Sequence, residues 1–160
     1  MQAGGHTDLM AQTQIRPYAA GDAERLAVLV RRCLVQVNSR DYPADVIAGL
    51  CASYTAARFA GLARRRHIYI AECGGAMAGT VSRDRNTVFT MFVDPRRAGQ
   101  GIGRQLMRYA EEQAAGEGHD HMETAASITA HGFYLALGYT DLRESETGFG
   151  LTYLMRKPLR

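Results

Sequence analysis

Residues 92–106 read FVDPRRAGQGIGRQL, a β-type segment that stops at Asp94-Pro95 and passes through glycines into an amphipathic helix. At such a junction the first N–H groups of the helix lack intrahelical acceptors, and the positive end of the helix dipole lies where they converge. Glycine leaves that backbone bare of Cβ atoms, so an anion can approach it closely. Arg96, Arg97 and Arg104 add cationic side chains around the turn. Two common glycine loops are excluded. A nucleotide-triphosphate loop needs Gly-Lys followed by a hydroxyl residue, and this chain has GIGRQL. A dinucleotide fingerprint needs GxGxxG, and the third position is Arg104 counted from Gly99, or Leu106 counted from Gly101. The remaining GxGxG suits a diphosphate held by main-chain amides alone. The competing reading is a glycine turn packed close against a strand.

The pattern on either side sets the fold class. Ile15 to Tyr18 forms a short opening strand, and Asp22 N-caps a helix to about Asn38. Leu26, Leu29, Val30, Cys33, Leu34 and Val37 make one apolar stripe at helical spacing. Pro43 suits the first turn of a second helix to about Ser53, and a third piece spans Ala56 to Arg65. The period then changes. His67 to Cys73 and Met77 to Arg83, joined at Gly74-Gly75, read as an antiparallel hairpin. Thr87 to Val93 follows as a β-branched and aromatic strand. The glycine turn opens a helix to about Ala115, with Ile102, Leu106, Tyr109 and Ala110 on its buried face. A strand at His121 to Ala126, a helix from about Ala130 to Leu137, and strands near Tyr139 to Arg143 and Leu151 to Arg156 complete the chain. This order predicts an α/β protein with an α+β mixed sheet.

A chain of 160 residues fits one domain, read as 14–160, after a leader over 1–13. No run is long and apolar enough for a membrane span, and no secretory signal opens the chain; the expectation is a cytoplasmic protein without a membrane partner. Cys33, Cys51 and Cys73 form no CxxC pair and read as reduced, buried thiols. Lys157 is the sole lysine, and the other fixed cations are arginines. Guanidinium forks grip phosphates, but codon usage produces the same bias. The Arg64–Arg66 run has no aromatic partner and no second run, so no nucleic-acid partner is expected. His119, Asp120 and His121 stand side by side without a distant further ligand, so no metal site is expected either.

Two segments together resemble the GNAT superfamily of N-acetyltransferases: VDPRRAGQGIGRQL, Val93 to Leu106, and ASITAHGFYLALGY, Ala126 to Tyr139. The resemblance covers Ile15 to Leu159. It implies a GNAT-like acyl-CoA acyltransferase fold, a central, mostly antiparallel sheet flanked by helices, with acetyl-CoA as cosubstrate. It implies that the backbone of Phe92 and Val93 pairs with the pantetheine arm and that amides from Ala98 through Gly99, Gln100, Gly101 and Ile102 to Gly103 hold the pyrophosphate. Arg97 and Arg104 flank that cradle. Ala98 stands where the family usually has glutamine or arginine, and Ser127 stands where it commonly has asparagine. Tyr134 matches the family's tyrosine near the cofactor sulfur.

Acetyl transfer to an amine needs a neutral nucleophile, alignment, a donor for the oxyanion and a proton for the leaving thiolate. Tyr134 is the candidate for the last role, since a phenol near pKa ~10 is roughly matched to an alkyl thiol. The resemblance places the family's base, a glutamate, on the strand Thr87 to Val93, which contains no carboxylate here. Glu123 on the next strand is the best substitute, with Glu72, Asp94 or a water chain as alternatives. The acceptor is expected to be a small-molecule or peptide amine, bound between about Val37 to Tyr54 and the loop near Thr147 to Leu151, where Asp41 and Asp45 could attract a cation. The alternative function is an acyl-CoA sensor with the same fold. The C-terminal strands could pair across a homodimer.

Overall fold

The computed structural model describes residues 12–148 and 150–160. The leader expected over 1–13 lies, up to residue 11, outside the described residues. Among these residues seven strands form one sheet: β1 (Gln14–Pro17), β2 (His67–Cys73), β3 (Ala76–Asp84), β4 (Thr87–Val93), β5 (His121–Ser127), β6 (Thr140–Thr147) and β7 (Gly150–Pro158), in spatial order β1-β2-β3-β4-β5-β7-β6. Among the described residues five α-helices accompany it: α1 (Ala23–Gln36), α2 (Ala44–Ser53), α3 (Ala56–Leu62), α4 (Ile102–Gly116) and α5 (His131–Ala136). Every strand pairing is antiparallel except that of β4 with β5. The mixed, mostly antiparallel sheet expected from the sequence is therefore the architecture found.

The helical stripes decide which face each helix presents. Leu26, Leu29, Val30, Cys33 and Leu34 of α1 are buried with Ile68, Ile70 and Phe59 in one core cluster. Ile102, Leu106, Met107, Ala110 and Ala114 of α4 are buried with Val81, Val88 and Met122 in a second. Burying such side chains stabilises by ~1.5–3 kcal/mol each, before chain entropy opposes it. Gly79 on β3 lets α4 approach the sheet: a Cβ there would lie 2.9 Å from the Phe92 carbonyl oxygen and 3.0 Å from Leu106.

Several boundaries differ from expectation. The C-terminal hairpin is longer than its apolar letters suggest, because the register from Thr140↔Arg156 to Thr147↔Gly150 is carried by backbone pairing on a largely exposed strand. The third helix stops at Leu62, and its last residues instead form a turn in which Arg65 and Arg66 N–H donate to Leu62 O. Asp22 occupies the N-cap position of α1 but does not cap it with its side chain. Its carboxylate is taken by Arg16 at 2.7 and 2.8 Å and by Ala19 N–H at 2.7 Å. No helix among the described residues is long and apolar enough to cross a membrane.

Candidate active site

The site begins where the sheet comes apart. β4 and β5 pair only at Thr87↔Glu123 and Val88↔Thr124, and beyond those two positions the strands have no common ladder. A cavity of about 380 Å³ occupies the opening, reaching from Val93 and Ser127 to α1, α2 and α5. The Asp94 N–H donates to Ala78 O at 2.8 Å. By the alternation of an antiparallel ladder, the peptide groups of Phe92 and Thr90 then face β3, and those of Met91 and Val93 face the opening. Phe92 was expected to share the free edge with Val93. Its backbone is committed to Thr80, and only its side chain joins the pocket wall. The Val93 carbonyl accepts from Cys33 Sγ at 3.2 Å.

Past β4 the chain makes a 3-10 turn, Pro95–Arg97, held by Asp94. Asp94 is buried, accepts from Arg96 N–H at 2.9 Å and pairs with Arg32 at 3.0 Å. Burial would raise its pKa, but the Arg96 hydrogen bonds and the two guanidinium charges outweigh that and hold the carboxyl below its ordinary range. Gly99 and Gly101 follow with φ of +78° each, a left-handed conformation that carries a penalty for other residues. Gly101 is the N-cap of α4, and its carbonyl accepts from Gln105 N–H. Among the described residues, the N–H groups of Gly99, Gln100, Gly101, Ile102, Gly103 and Arg104 meet no backbone carbonyl. The side chains of Gln100 and Arg104, and that of Ala98, are exposed, whereas Ile102 and Gly103 are buried. Gly103 has a packing reason: a Cβ there would lie 3.0 Å from the Phe133 ring. The packing reading of the glycine turn therefore holds at Gly103.

On the opposite wall, Ser127 ends β5 and its Oγ accepts from Ala130 N–H at 3.1 Å, turning the chain into α5. Tyr134, one turn along, is buried in edge contact with Phe133 and Tyr139 and lines the pocket. Burial pushes its phenol well above the ordinary value, and the neighbouring Thr124 hydroxyl offsets only part of the rise.

The structure corrects the placement of Glu123. Its carboxylate is bound by Arg156, with Nε at 3.0 Å, and lies near His121 Nε2 at 3.6 Å. Strand register explains this: Glu123 stands opposite Arg156 on β7, in the zipped part of the sheet, and does not line the pocket. Glu72 is likewise taken by Arg16, at 2.8 Å, and Asp94 by Arg32 and Arg96.

Sequence reasoning missed the residue that closes the other end. Tyr42, between α1 and α2, donates from its hydroxyl to Leu151 O at 3.3 Å and accepts from Ile128 N–H at 2.8 Å. Its ring lies where a Cβ on Gly150 would meet it at 3.0 Å. Asp41 beside it accepts from Thr129 Oγ1 at 2.8 Å. The α1–α2 loop is thereby strapped to the ends of β5 and β7, partners 86 to 109 positions away that no local pattern announces.

A mixed sheet that splits between two parallel strands beside a glycine-opened helix is the arrangement that the GNAT resemblance implies. Residues 64–141 match the acetyltransferase (GNAT) domain family. The chain's fold is shared with a GCN5-related N-acetyltransferase from Rhodopseudomonas palustris, at 24% identity, TM-score 0.85, and coverage of 97% of this chain and 100% of that one. PaiA N-acetyltransferase from Thermoplasma acidophilum, solved with coenzyme A, is 17% identical with TM-score 0.78, covering 92% and 99%. YncA from Salmonella typhimurium, solved with acetyl-CoA, is 22% identical with TM-score 0.60, covering 92% and 94%. No curated protein matches the chain in sequence.

Proposed function

We propose that this protein is an N-acetyltransferase that moves the acetyl group of acetyl-coenzyme A to a primary amine of a small molecule or peptide, by direct attack in a ternary complex. The observation that carries the reading is the split between β4 and β5, with unpaired main-chain groups at both of its cofactor-facing edges. The amides from Gly99 to Arg104 fit a diphosphate, with the Arg97 and Arg104 side chains alongside. The Val93 N–H, with Met91, fits an extended amide-bearing arm laid against β4. Ser127 lies on the facing wall. The fold is shared with PaiA and YncA, solved with coenzyme A and acetyl-CoA respectively.

Acetyl-CoA supplies an activated thioester; the chain's residues bind it, align it and manage a proton. Tyr134 is assigned to the sulfur. Its raised pKa keeps the phenol protonated through neutral and mildly alkaline pH. The same shift makes complete transfer to a thiolate uphill, so Tyr134 acts chiefly as a hydrogen-bond donor that stabilises the departing sulfur. Cys33 lines the pocket, but burial, aided by the nearby Asp94 charge, pushes its thiol up to about 12. A thiol so rarely ionised is a poor nucleophile near neutral pH, which favours direct attack over an acyl-enzyme. No carboxylate lines the pocket among the described residues, so the amine's proton leaves to water.

Release of free thiol from acetyl-CoA on addition of amines tests the reading. Amine-dependent release without a burst is expected. Absence of release with a broad amine panel, despite cofactor binding measured by calorimetry, would contradict transfer.

A further inference from the structure

The end of the pocket away from α4 has a composition that selects its occupant. Leu34 of α1, Val37 just past its end, Leu50 of α2, Tyr54 after it, and Phe89 and Phe92 of β4 form the wall. Among the described residues, the titratable groups that line the cavity are Cys33 from α1, Tyr42 from the α1–α2 loop, Tyr54 from the end of α2 and Tyr134 from α5, with no carboxylate among them. Two guanidiniums stack against the aromatic wall, and the carboxylate beside Cys33, Asp94, is already paired with Arg32 and Arg96. The Arg58 guanidinium lies 5.1 Å from the Tyr54 ring centroid, and that of Arg66 lies 3.8 Å from the Phe89 ring centroid. Those rings have already spent a face on an arginine, so an ammonium entering here meets like charge rather than an open aromatic cage. Asp41, at the mouth, is exposed and turned to Thr129.

From this composition, and resting on the acetyltransferase reading above, we infer that the acceptor is a weakly basic amine on an uncharged, apolar or aromatic body. The chemistry points the same way as the wall. An alkylamine with a pKa near 10.4 is neutral in only about one molecule in 2,500 at pH 7, whereas an arylamine is neutral almost entirely. A pocket without a carboxylate cannot bind the ammonium form cheaply or take its proton directly. An amine that arrives neutral needs neither service. Polycationic amines are disfavoured twice, by the wall and by the arginines behind it.

The test compares aniline, its alkyl homologue benzylamine, and spermidine as acceptors, following thiol release from acetyl-CoA between about pH 6.5 and 9. At pH 7 aniline is expected to exceed benzylamine in kcat/KM by at least about tenfold. Benzylamine turnover should rise nearly tenfold per pH unit as its neutral fraction grows, and spermidine should be the poorest acceptor. Arg58→Gln should narrow the gap between benzylamine and aniline. Preference for spermidine, or a benzylamine profile flat with pH, overturns the inference. So does a lack of turnover with all three while calorimetry still shows acetyl-CoA binding, an outcome that leaves the cofactor assignment standing. Loss of acetyl-CoA binding itself would instead remove the reading beneath.

Discussion

The two ends of the opening between β4 and β5 are made of different material. Beside α4 the surface is main chain: six consecutive N–H groups from Gly99 to Arg104, and the free edge of β4 at Met91 and Val93. Beneath the α1–α2 loop it is side chain, with Tyr42, Tyr54, Leu50 and Phe92 drawn from separate elements. A main-chain site depends on backbone conformation and tolerates many side chains, as Ala98 and the exposed Gln100 illustrate. A side-chain site depends on which elements the topology brings together, and each residue in it can change the occupant. One fold can therefore keep a common donor and vary its acceptor.

The largest effect is expected from forcing a side chain into the main-chain end. Gly101→Val places a β-branched residue at φ +78°, and the strain together with displaced amides should weaken acetyl-CoA binding by about a hundredfold in calorimetry. Gly61→Ala, in open space on α3 with an ordinary φ, should leave that affinity within about twofold. Equal affinities in the two variants would break the comparison.

Tyr134→Phe should lower kcat about a hundredfold, the low end for loss of a hydrogen-bond donor to developing negative charge, while changing the acetyl-CoA KM by less than about threefold. Steady-state kinetics separate the two. An unchanged kcat would make the tyrosine a packing residue only.

A variant remote from both ends provides the contrast. The Arg16 hydrogen bonds, opposed by burial, pull the Asp22 carboxyl down to about 2. A carboxylate with a depressed folded pKa contributes stability that is present above its unfolded pKa and lost as pH falls through the folded one. Asp22→Asn should cost about 2 kcal/mol near neutral pH, and its Tm deficit should shrink as pH drops from about 4 to 2. Thermal denaturation across that range checks this. Acetyl-CoA affinity should be unmoved, and a deficit constant with pH would refute the ion-pair explanation.

The smallest effect belongs to the strap. Tyr42→Phe keeps the ring against Gly150 and removes only the bonds to Leu151 O and Ile128 N–H, worth about 1 kcal/mol together if the mouth stays shut part of the time. The acceptor KM should rise a few-fold with the acetyl-CoA KM constant. The reverse pattern would mean that the loop serves the cofactor end.

What was legible in the sequence follows the same division. The α1 stripe, the Gly74-Gly75 hairpin and the glycine-opened α4 are local signals, each fixed by neighbours within a turn or two, and all three appear where expected. The alternation that turns the Phe92 backbone to β3 was in the strand but not its phase, which depends on pairing with Thr80. Glu123 looked available because it lies on the strand after the one that lacks a carboxylate. Its partner, Arg156, arrives from β7, 33 positions later. Tyr42 gave no signal because both of its hydrogen bonds go to backbone groups, which every sequence contains. Gly103 reads in sequence as a ligand contact, and the structure gives it a packing contact with Phe133 that is visible only once α4 and α5 are set side by side.

The central claim is that the main chain between Ala98 and Arg104 receives the paired phosphates of an acyl-coenzyme A. Two-dimensional 1H–15N spectra of the full chain, titrated with acetyl-CoA and separately with acetyl-pantetheine, test it most directly. The account predicts that acetyl-CoA shifts the amide signals of Gly99, Gln100, Gly101 and Gly103 strongly, and that acetyl-pantetheine, which lacks the diphosphate, leaves them nearly in place while still moving Val93. Equal shifts from both compounds, or none at the glycines with either, would contradict it.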